Sequence, residues 1–451
     1  MPTNINTINS SHNSQVTIAN SQFVDWFRSA SPYIHAHHGR TFVICFGGEV
    51  VQNPHFLHLI HDIALLSSLG IRLILVYGIR PQVEQCLQAR SLQPHYVNGT
   101  RITDEIALSC VKAACGKVGS EIESFLSMGL SNSPTADVRI RTVSGNFITA
   151  RPIGVRDGVD FGYTGKVRRV DVSAITRQLD EGCIVLIAPL GYSPTGEVFN
   201  LLAEDVAMAA AIALQAAKWL CLTETEGLFD NAGQLIRQLT VPEVQRLLEE
   251  KPDFERKRQL TNAMEACKNG VQRVHIISQQ LTGALLLELF TRDGIGTLIS
   301  TDPYEHIRFA TIDDVGGVLE LIEPLENAGI LVRRSRDKLE MEIDHFAVQD
   351  RDGMIIACAA LHPFINEQIA ELACLAVIPH YRGANRGGAL LAFLEREARK
   401  KGITRIFVLT TQTAHWFQER GFVAGAADSL PVLRRTLYNY QRNSKIFMKY
   451  L

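Results

Sequence analysis

The 451-residue sequence contains no apolar run near the roughly 20 residues that span a bilayer, so no membrane-spanning segment is expected. It also lacks a dominant charge. Lys and Arg number 45 against 47 Asp and Glu, a net charge of −2, which gives no reason to expect a nucleic acid or an anionic membrane as partner. Its nine cysteines form no CxxC pair, so reduced thiols in a cytoplasm are expected rather than disulfides or a zinc site. His55, His58 and His61 recur three apart and "HAHH" spans 35–38. No acidic or thiol residue completes a ligand set and no HExxH is present, so these read as a polar helix face and no metal is expected. Residues 1–20 are polar, with neither a basic n-region nor an apolar h-region, and are expected to be a disordered tail rather than a secretory signal.

What the chain does have is an ordinary globular balance, 46% apolar and 20% charged. From about 41 to 300, apolar runs alternate with amphipathic stretches. "IRLILVYG" (71–78), "CIVLIAPLG" (183–191), "KWLCLTE" (218–224) and "VQRVHIIS" (271–278) read as buried strands. "EDVAMAAAIALQAA" (204–217) and "RQLTNAMEACKNG" (258–270) read as helices between them. Short runs without period-2 alternation, separated by helices, predict a mostly parallel sheet in an α/β sandwich. "STDPYEH" (300–306) reads as a linker. Beyond it, three successive strands, the first turn carrying Asp352-Gly353, precede a helix over 388–402, a strand over 405–411 and a helix around "AHWFQERGF". This is an α+β unit over 307–451.

That second unit carries the chemistry. In "ELACLAVIPHYRGANRGGALLAFLEREARKKG" (371–402) a buried strand ends in a loop rich in Gly and Arg and a helix follows at once. Unpaired N–H groups at a helix start favour an anion, and Arg382 and Arg386 add positive charge; the alternative is a solvated basic turn. Glu371 lies on the strand feeding the loop, where a carboxylate could deprotonate an amine. The tail "LPVLRRTLYNYQRNSKIFMKYL" supplies Arg434, Arg442 and Ser444, and "LVRRSRDKLE" supplies Arg333 and Arg334. Together these cations suit a dicarboxylic amine such as glutamate.

The order strand, Gly/Arg loop, helix, strand, "WFQERGF" resembles the GNAT-type acetyltransferases. By that resemblance acetyl-CoA is the cosubstrate, with no other cofactor. Leu375, Ala376 and Val377 would hold its pantetheine and thioester, and Arg382, Arg386, Gly387 and Gly388 its pyrophosphate. The loop departs from the family at Asn385, which stands for a glycine and tolerates a left-handed backbone better than most residues. The position where many relatives carry an acidic tyrosine holds Phe417, so no general acid is assigned.

The first unit resembles the amino acid kinase family, through "VICFGGEVV", "VYGIRPQV" (76–83), "NGTRITD" (98–104) and "VFNLLAED" (198–205). The departures fall on the chemistry. Cys45 replaces a phosphate-binding lysine, Ile79 and Arg80 replace loop glycines, and Leu202 and Glu204 replace Asn and Asp. Gln259 stands for a second lysine. The combination, an amino acid kinase-like three-layer sandwich over 21–300 followed by a GNAT-type unit, resembles the bacterial N-acetylglutamate synthases. The resemblance implies a cytoplasmic enzyme, commonly hexameric, that acetylates L-glutamate in arginine biosynthesis and is inhibited by L-arginine. It adds Cys374 to the glutamate-binding residues Arg334, Arg434, Arg442 and Ser444. It places the arginine effector near Tyr33 on an N-terminal helix, Glu288 and Gly294. Phe23, Trp26 and Phe27 recur on that helix and suit another subunit. A bifunctional synthase and kinase, or a non-catalytic amino acid sensor, are the alternatives.

Overall fold

The computed structural model describes residues 23–128, 140–250, 256–383, 385–436 and 444–451. The chain divides into two compact units, one ending at Asp302 and the other starting at Pro303.

The core of unit 1 is an eight-stranded sheet. Its central strands are Arg273–Ser278, Lys218–Thr223, Thr41–Phe46, Arg72–Tyr77 and Ile184–Ile187, in that order and all parallel. Thr297–Ser300 joins one side antiparallel to Arg273–Ser278. Both faces of the central strands are apolar. Phe42, Ile44 and Phe46 point into one core with Ile63, Leu66 and Val111. Val43 and Cys45 point into the other, with Val206, Ala210 and Leu260. That period-2 split explains why the runs show no polar alternation: each residue of the strand meets a helical layer. A second sheet of four strands, Val198–Asn200, Leu190–Tyr192, Ile148–Pro152 and Gly165–Val170, completes the unit. The helix over 23–37 leaves Phe23, Trp26 and Phe27 63%, 46% and 52% exposed.

Unit 2 is a seven-stranded sheet ordered Glu305–Phe309, Phe346–Arg351, Met354–Phe364, Ile369–Val377, Arg405–Thr410, Lys445–Tyr450 and Val423–Ala424. Only the pair Ile369–Val377 and Arg405–Thr410 is parallel. The helix Arg386–Lys400 packs Leu390, Leu391 and Leu394 on one face, against Ala370 and Leu372. The helix Val315–Asn327 packs Val318 and Ile322 on the other, against Cys374 and Ala376. The stretch 300–306 differs from the expected linker, because Glu305 already begins the edge strand. Its carboxylate accepts from Arg386 Nη2 at 2.7 Å and is also paired with Arg351, so a polar segment is drawn into the sheet by charge rather than by hydrophobicity.

Candidate active site

The strand Ile369–Val377 changes face midway. Ala370 and Leu372 point to the same core, yet Cys374 and Ala376, also at even positions, point to the opposite one. The cause is a β-bulge. Ala360 pairs with Ala373 and Cys358 with Ala376, so Cys374 and Leu375 together oppose the single Ala359. Cys374 takes the strain with φ +51°. The bulge brings the Cys374 side chain to the face that Glu371 occupies three positions before it.

At the same place the sheet opens. Pairing with Arg405–Thr410 ends at Leu372 opposite Val408, whereas pairing with Met354–Phe364 continues to Val377. Among the described residues, backbone groups from Ala373 to Val377 on that side have no strand partner there. An extended chain can add to such an edge through main-chain hydrogen bonds. Leu375, Ala376 and Val377, the expected thioester-binding residues, lie along it.

The turn after the strand is built for close approach. Asn385 adopts φ +53° and leads directly into the helix Arg386–Lys400. A side chain at Gly388 would collide with Asn385 Oδ1, and one at Gly387 would sit 3.1 Å from the Trp416 ring. The first-turn N–H groups therefore face the loop with little side chain in front of them. Arg382 is exposed, with Nε donating to the Val377 carbonyl at 3.3 Å. The Arg386 guanidinium is engaged elsewhere: it pairs with Glu305 and donates to the Tyr381 carbonyl at 2.9 Å. Phe417 is 6% exposed and packs edge-on against Trp416 and Phe422, so its position is a piece of core.

Glu371 is 8% exposed, and both its oxygens are held by the Arg434 fork, Nε at 2.6 Å and Nη2 at 3.0 Å. Each carboxylate oxygen has two acceptor sites, so the fork leaves others open. Cys374 is buried, which pushes its thiol up to about 11, while the nearby Arg334 acts in the opposite sense. That thiol remains protonated at neutral pH. Arg334 Nε is buried without a hydrogen-bond partner among the described residues, 3.9 Å from Glu342. Ser444 is half-buried immediately before the strand Lys445–Tyr450, and Arg442 lies outside the described residues. The structure thus brings Glu371, Cys374, Arg434 and Arg334 together. It adds His362, which the sequence reading missed. His362 stands opposite Glu371 in the antiparallel pair, and burial lowers its pKa, leaving a neutral imidazole at physiological pH. Counting back through the hairpin from Glu371 is the signal that could have found it.

In unit 1, Glu288 and Gly294 lie against each other. Tyr33 packs on the core that contains Leu285, Leu289 and Phe290, and a Cβ on Gly294 would strike Glu288. Glu288 is buried and bonded to His275 Nδ1 at 2.6 Å and to the backbone N–H groups of Ile295 and Gly296 at 2.6 and 2.9 Å. These bonds and His275 hold its carboxyl below the usual range against the opposing effect of burial. Among the described residues no helix is long and apolar enough to cross a membrane, and no group of three or more His, Cys, Asp or Glu could hold a metal ion.

A mixed sheet whose central parallel pair parts beside a glycine-rich turn, with a buried carboxylate at the fork, defines unit 2 as a GNAT-type acyltransferase, preceded here by an amino acid kinase fold. Residues 40–278 match the amino acid kinase family and residues 342–424 the GNAT acetyltransferase domain. The chain belongs to the amino-acid acetyltransferase family. It is 53% identical to the amino-acid acetyltransferase of Ectopseudomonas mendocina, over 95% of this chain and 99% of that one. It is 54% identical to that of Pseudomonas putida over the same shares. It is similar to the crystal structure of N-acetylglutamate synthase from Neisseria gonorrhoeae with coenzyme A and L-arginine. The identity is 40% and the TM-score 0.86, covering 95% of this chain and 99% of that one. A second structure of that protein, with coenzyme A and N-acetyl-glutamate, gives 41% and 0.61 over the same shares.

Proposed function

We propose that the chain transfers acetyl from acetyl-CoA to the α-amine of L-glutamate, giving N-acetyl-L-glutamate and CoA, as the first step of arginine biosynthesis in the cytoplasm. The observation that carries the reading is the parting of the two strands after Leu372, with the Glu371–Arg434 pair at the fork. Acetyl-CoA lies along the freed edge, its thioester carbonyl near the backbone of Leu375 to Val377 and its pyrophosphate at the helix start Arg386–Gly388 with Arg382. Glu371, oriented by the Arg434 fork, accepts the amine proton directly or through water, and the amine attacks the thioester. A thiol of pKa near 8.5 is a fair leaving group, so catalysis does not require an acid where Phe417 stands. The unpartnered Arg334 Nε offers a bond to a substrate carboxylate, with Cys374 beside it as a neutral donor. Arg442 and Ser444 from the tail complete that set. Unit 1 performs no phosphoryl transfer. It assembles the chain into a hexamer through the exposed aromatic face of the helix over 23–37, and binds arginine as inhibitor near Tyr33, Glu288 and Gly294. In this reading a tail over 1–20 precedes a regulatory unit over 21–300, and the catalytic unit, expected from 307, starts at Pro303 so as to include its edge strand Glu305–Phe309.

The testing experiment is thiol release from acetyl-CoA with each of the common amino acids, with and without arginine. Glutamate-dependent release suppressed by arginine is expected. Release with another amino acid alone, or arginine acting only as a competitor of glutamate, would overturn the corresponding part.

A further inference from the structure

The helix Arg386–Lys400 starts with a cation, which opposes the helix dipole and stands where the free N–H groups of the first turn would meet an anion. The Arg386 side chain is drawn elsewhere. Its Nε and Nη2 donate to the two Glu305 oxygens at 3.0 and 2.7 Å, and its Nη1 donates to the Tyr381 carbonyl at 2.9 Å. All three guanidinium nitrogens are thus engaged. Glu305 begins the edge strand Glu305–Phe309, which is separated from Ile369–Val377 by the strands Phe346–Arg351 and Met354–Phe364. The fork lies on the opposite side of Ile369–Val377, toward Arg405–Thr410. Arg386 is therefore held across the sheet, away from the fork.

Glu305 is itself fixed. It accepts from Gln349 Nε2 at 2.9 Å and is paired with Arg351, both on the neighbouring strand. The Tyr381 ring, 6% exposed, meets both guanidinium groups, Arg386 at 5.3 Å and Arg351 at 5.6 Å. Burial pushes the Glu305 carboxyl up, but the bonds from Arg386 and Arg351 outweigh it and hold the group below its usual range. The cluster grips the chain on both sides of the turn, at the Tyr381 carbonyl before it and at Arg386 after it. A two-bond fork fixes a guanidinium in angle as well as distance, so the first helix residue keeps its orientation. We propose that Glu305 is a positioning residue for acetyl-CoA: through Arg386 it sets the direction in which the helix start presents its N–H groups, and it keeps the Arg386 guanidinium out of the site. The pyrophosphate is then held by backbone N–H groups and Arg382. This role rests on acetyl-CoA lying at the helix start, as described under the proposed function.

The experiment measures CoA affinity by isothermal titration calorimetry, together with steady-state constants, on the full chain as wild type, Glu305→Gln, Arg386→Met and the double variant. CoA binding requires no acceptor, so the readout stands whatever amine is acetylated. Glu305→Gln should weaken CoA binding and raise the acetyl-CoA KM at least about tenfold, from the loss of a charged hydrogen bond, with kcat and the glutamate KM within about twofold of wild type. Arg386→Met should do the same, and the double variant should lose no more than either, because the two residues act in series. Arg386→Lys keeps the charge without the fork and should restore only part of the affinity. Melting curves accompany each variant. If Glu305→Gln does not fold, Arg386→Lys carries the test, since its acetyl-CoA KM must rise while kcat holds. Unchanged or tighter CoA binding in folded Glu305→Gln overturns the proposal, the tighter result showing Arg386 to be an anion ligand that Glu305 holds in check. Losses that add in the double variant, or a fall in kcat as large as the rise in KM, overturn it too. Absence of CoA binding by the wild type would overturn the placement of acetyl-CoA itself and this role with it.

Discussion

The Glu371–Arg434 fork gives the sharpest test of the catalytic reading. Replacing Glu371 by Gln keeps the shape and removes the base, so kcat should fall about 10²- to 10⁴-fold, the usual range for general-base removal. Replacing Arg434 by Gln leaves a carboxylate that is only 8% exposed without its two charged donors at 2.6 and 3.0 Å. A charged hydrogen bond contributes roughly 1.5 to 3 kcal/mol, so kcat/KM for glutamate should fall about 10- to 150-fold. The informative variant is the double one. If Arg434 acts by holding Glu371, its loss matters little once Glu371 is gone, and the cycle should show a coupling of about 1.5 to 3 kcal/mol. Arg434→Lys restores the charge but not the fork and should recover only part of the rate. The assay is thiol release at varied glutamate and acetyl-CoA, with melting curves for each variant. The KM for acetyl-CoA should barely move. Losses that add to within about 0.5 kcal/mol would show that Arg434 works independently of Glu371. Near-normal turnover in Glu371→Gln would remove this residue as the base.

The left-handed Asn385 at φ +53° should tolerate Gly and resist a β-branched residue: Asn385→Val costs about 1–2 kcal/mol of loop geometry and raises the acetyl-CoA KM, while Asn385→Gly leaves it nearly unchanged, both read from steady-state kinetics. Asp62 is 9% exposed and burial raises its carboxyl to about 6, so the folded chain binds the extra proton more readily than the unfolded one. Ionisation above pH 6 therefore opposes folding, and Asp62→Asn should stabilise the protein at pH 8 by at most about 3 kcal/mol, nearer 1–2 with partial hydration, the gain shrinking as pH falls through 6 and vanishing below about 4 in urea titrations. The exposed Trp26 and Phe27 should matter for assembly: Trp26→Glu with Phe27→Glu should reduce the particle mass in light scattering while each chain keeps its circular dichroism. For the arginine site, Tyr33→Ala should raise the arginine concentration for half-inhibition with little change in uninhibited rate, whereas Glu288→Ala leaves His275 and the backbone N–H groups of Ile295 and Gly296 without their buried acceptor and should lower the melting temperature first.

The two-unit architecture was legible because both units write their period plainly. Thr41–Phe46 and Arg72–Tyr77 are apolar on both faces, and Asp352-Gly353 marks the hairpin turn, Asp352 with φ +52° and Gly353 with φ +80°. The left-handed Asn385 was legible because it stands where the resembled family carries a glycine, and Asn tolerates that backbone better than most residues. The bulge at Cys374 was not, since the residue with positive φ is a cysteine inside an unbroken apolar strand, with no glycine to mark it. Nor was the Glu371–Arg434 fork, which joins residues 63 apart across elements whose order in the sheet differs from their order in the chain. The sequence assigned these two groups to different partners, base to amine and cation to substrate. Arg386 shows the same limit from the other side. Its position beside the loop was readable, but its capture by Glu305, 81 residues earlier, was not.

The glycine pair at 47–48 has a reason to persist that involves no phosphate. A Cβ on Gly78 would come within 3.1 Å of Gly47 Cα and of Gly48 N, and one on Gly48 would come within 2.8 Å of the Gly78 carbonyl. The ends of two adjacent parallel strands thus meet backbone to backbone. The contact is fastened by Gly78 N–H donating to the Phe46 carbonyl at 2.7 Å and by Gln82 Nε2 donating to the Gly48 carbonyl at 2.7 Å. Any side chain at these glycines would push the strand ends apart. Position 45 carries no such constraint. Cys45 faces the core that holds Val206 and Leu260, and burial, with Glu204 and Glu49 near, drives its thiol well above the usual range, so it serves as a small neutral packing residue. A lysine at this position would need a phosphate beside it; the glycines need only the sheet. Loss of phosphoryl transfer would release the first and not the second, which is how a phosphate-type loop can outlast its charge.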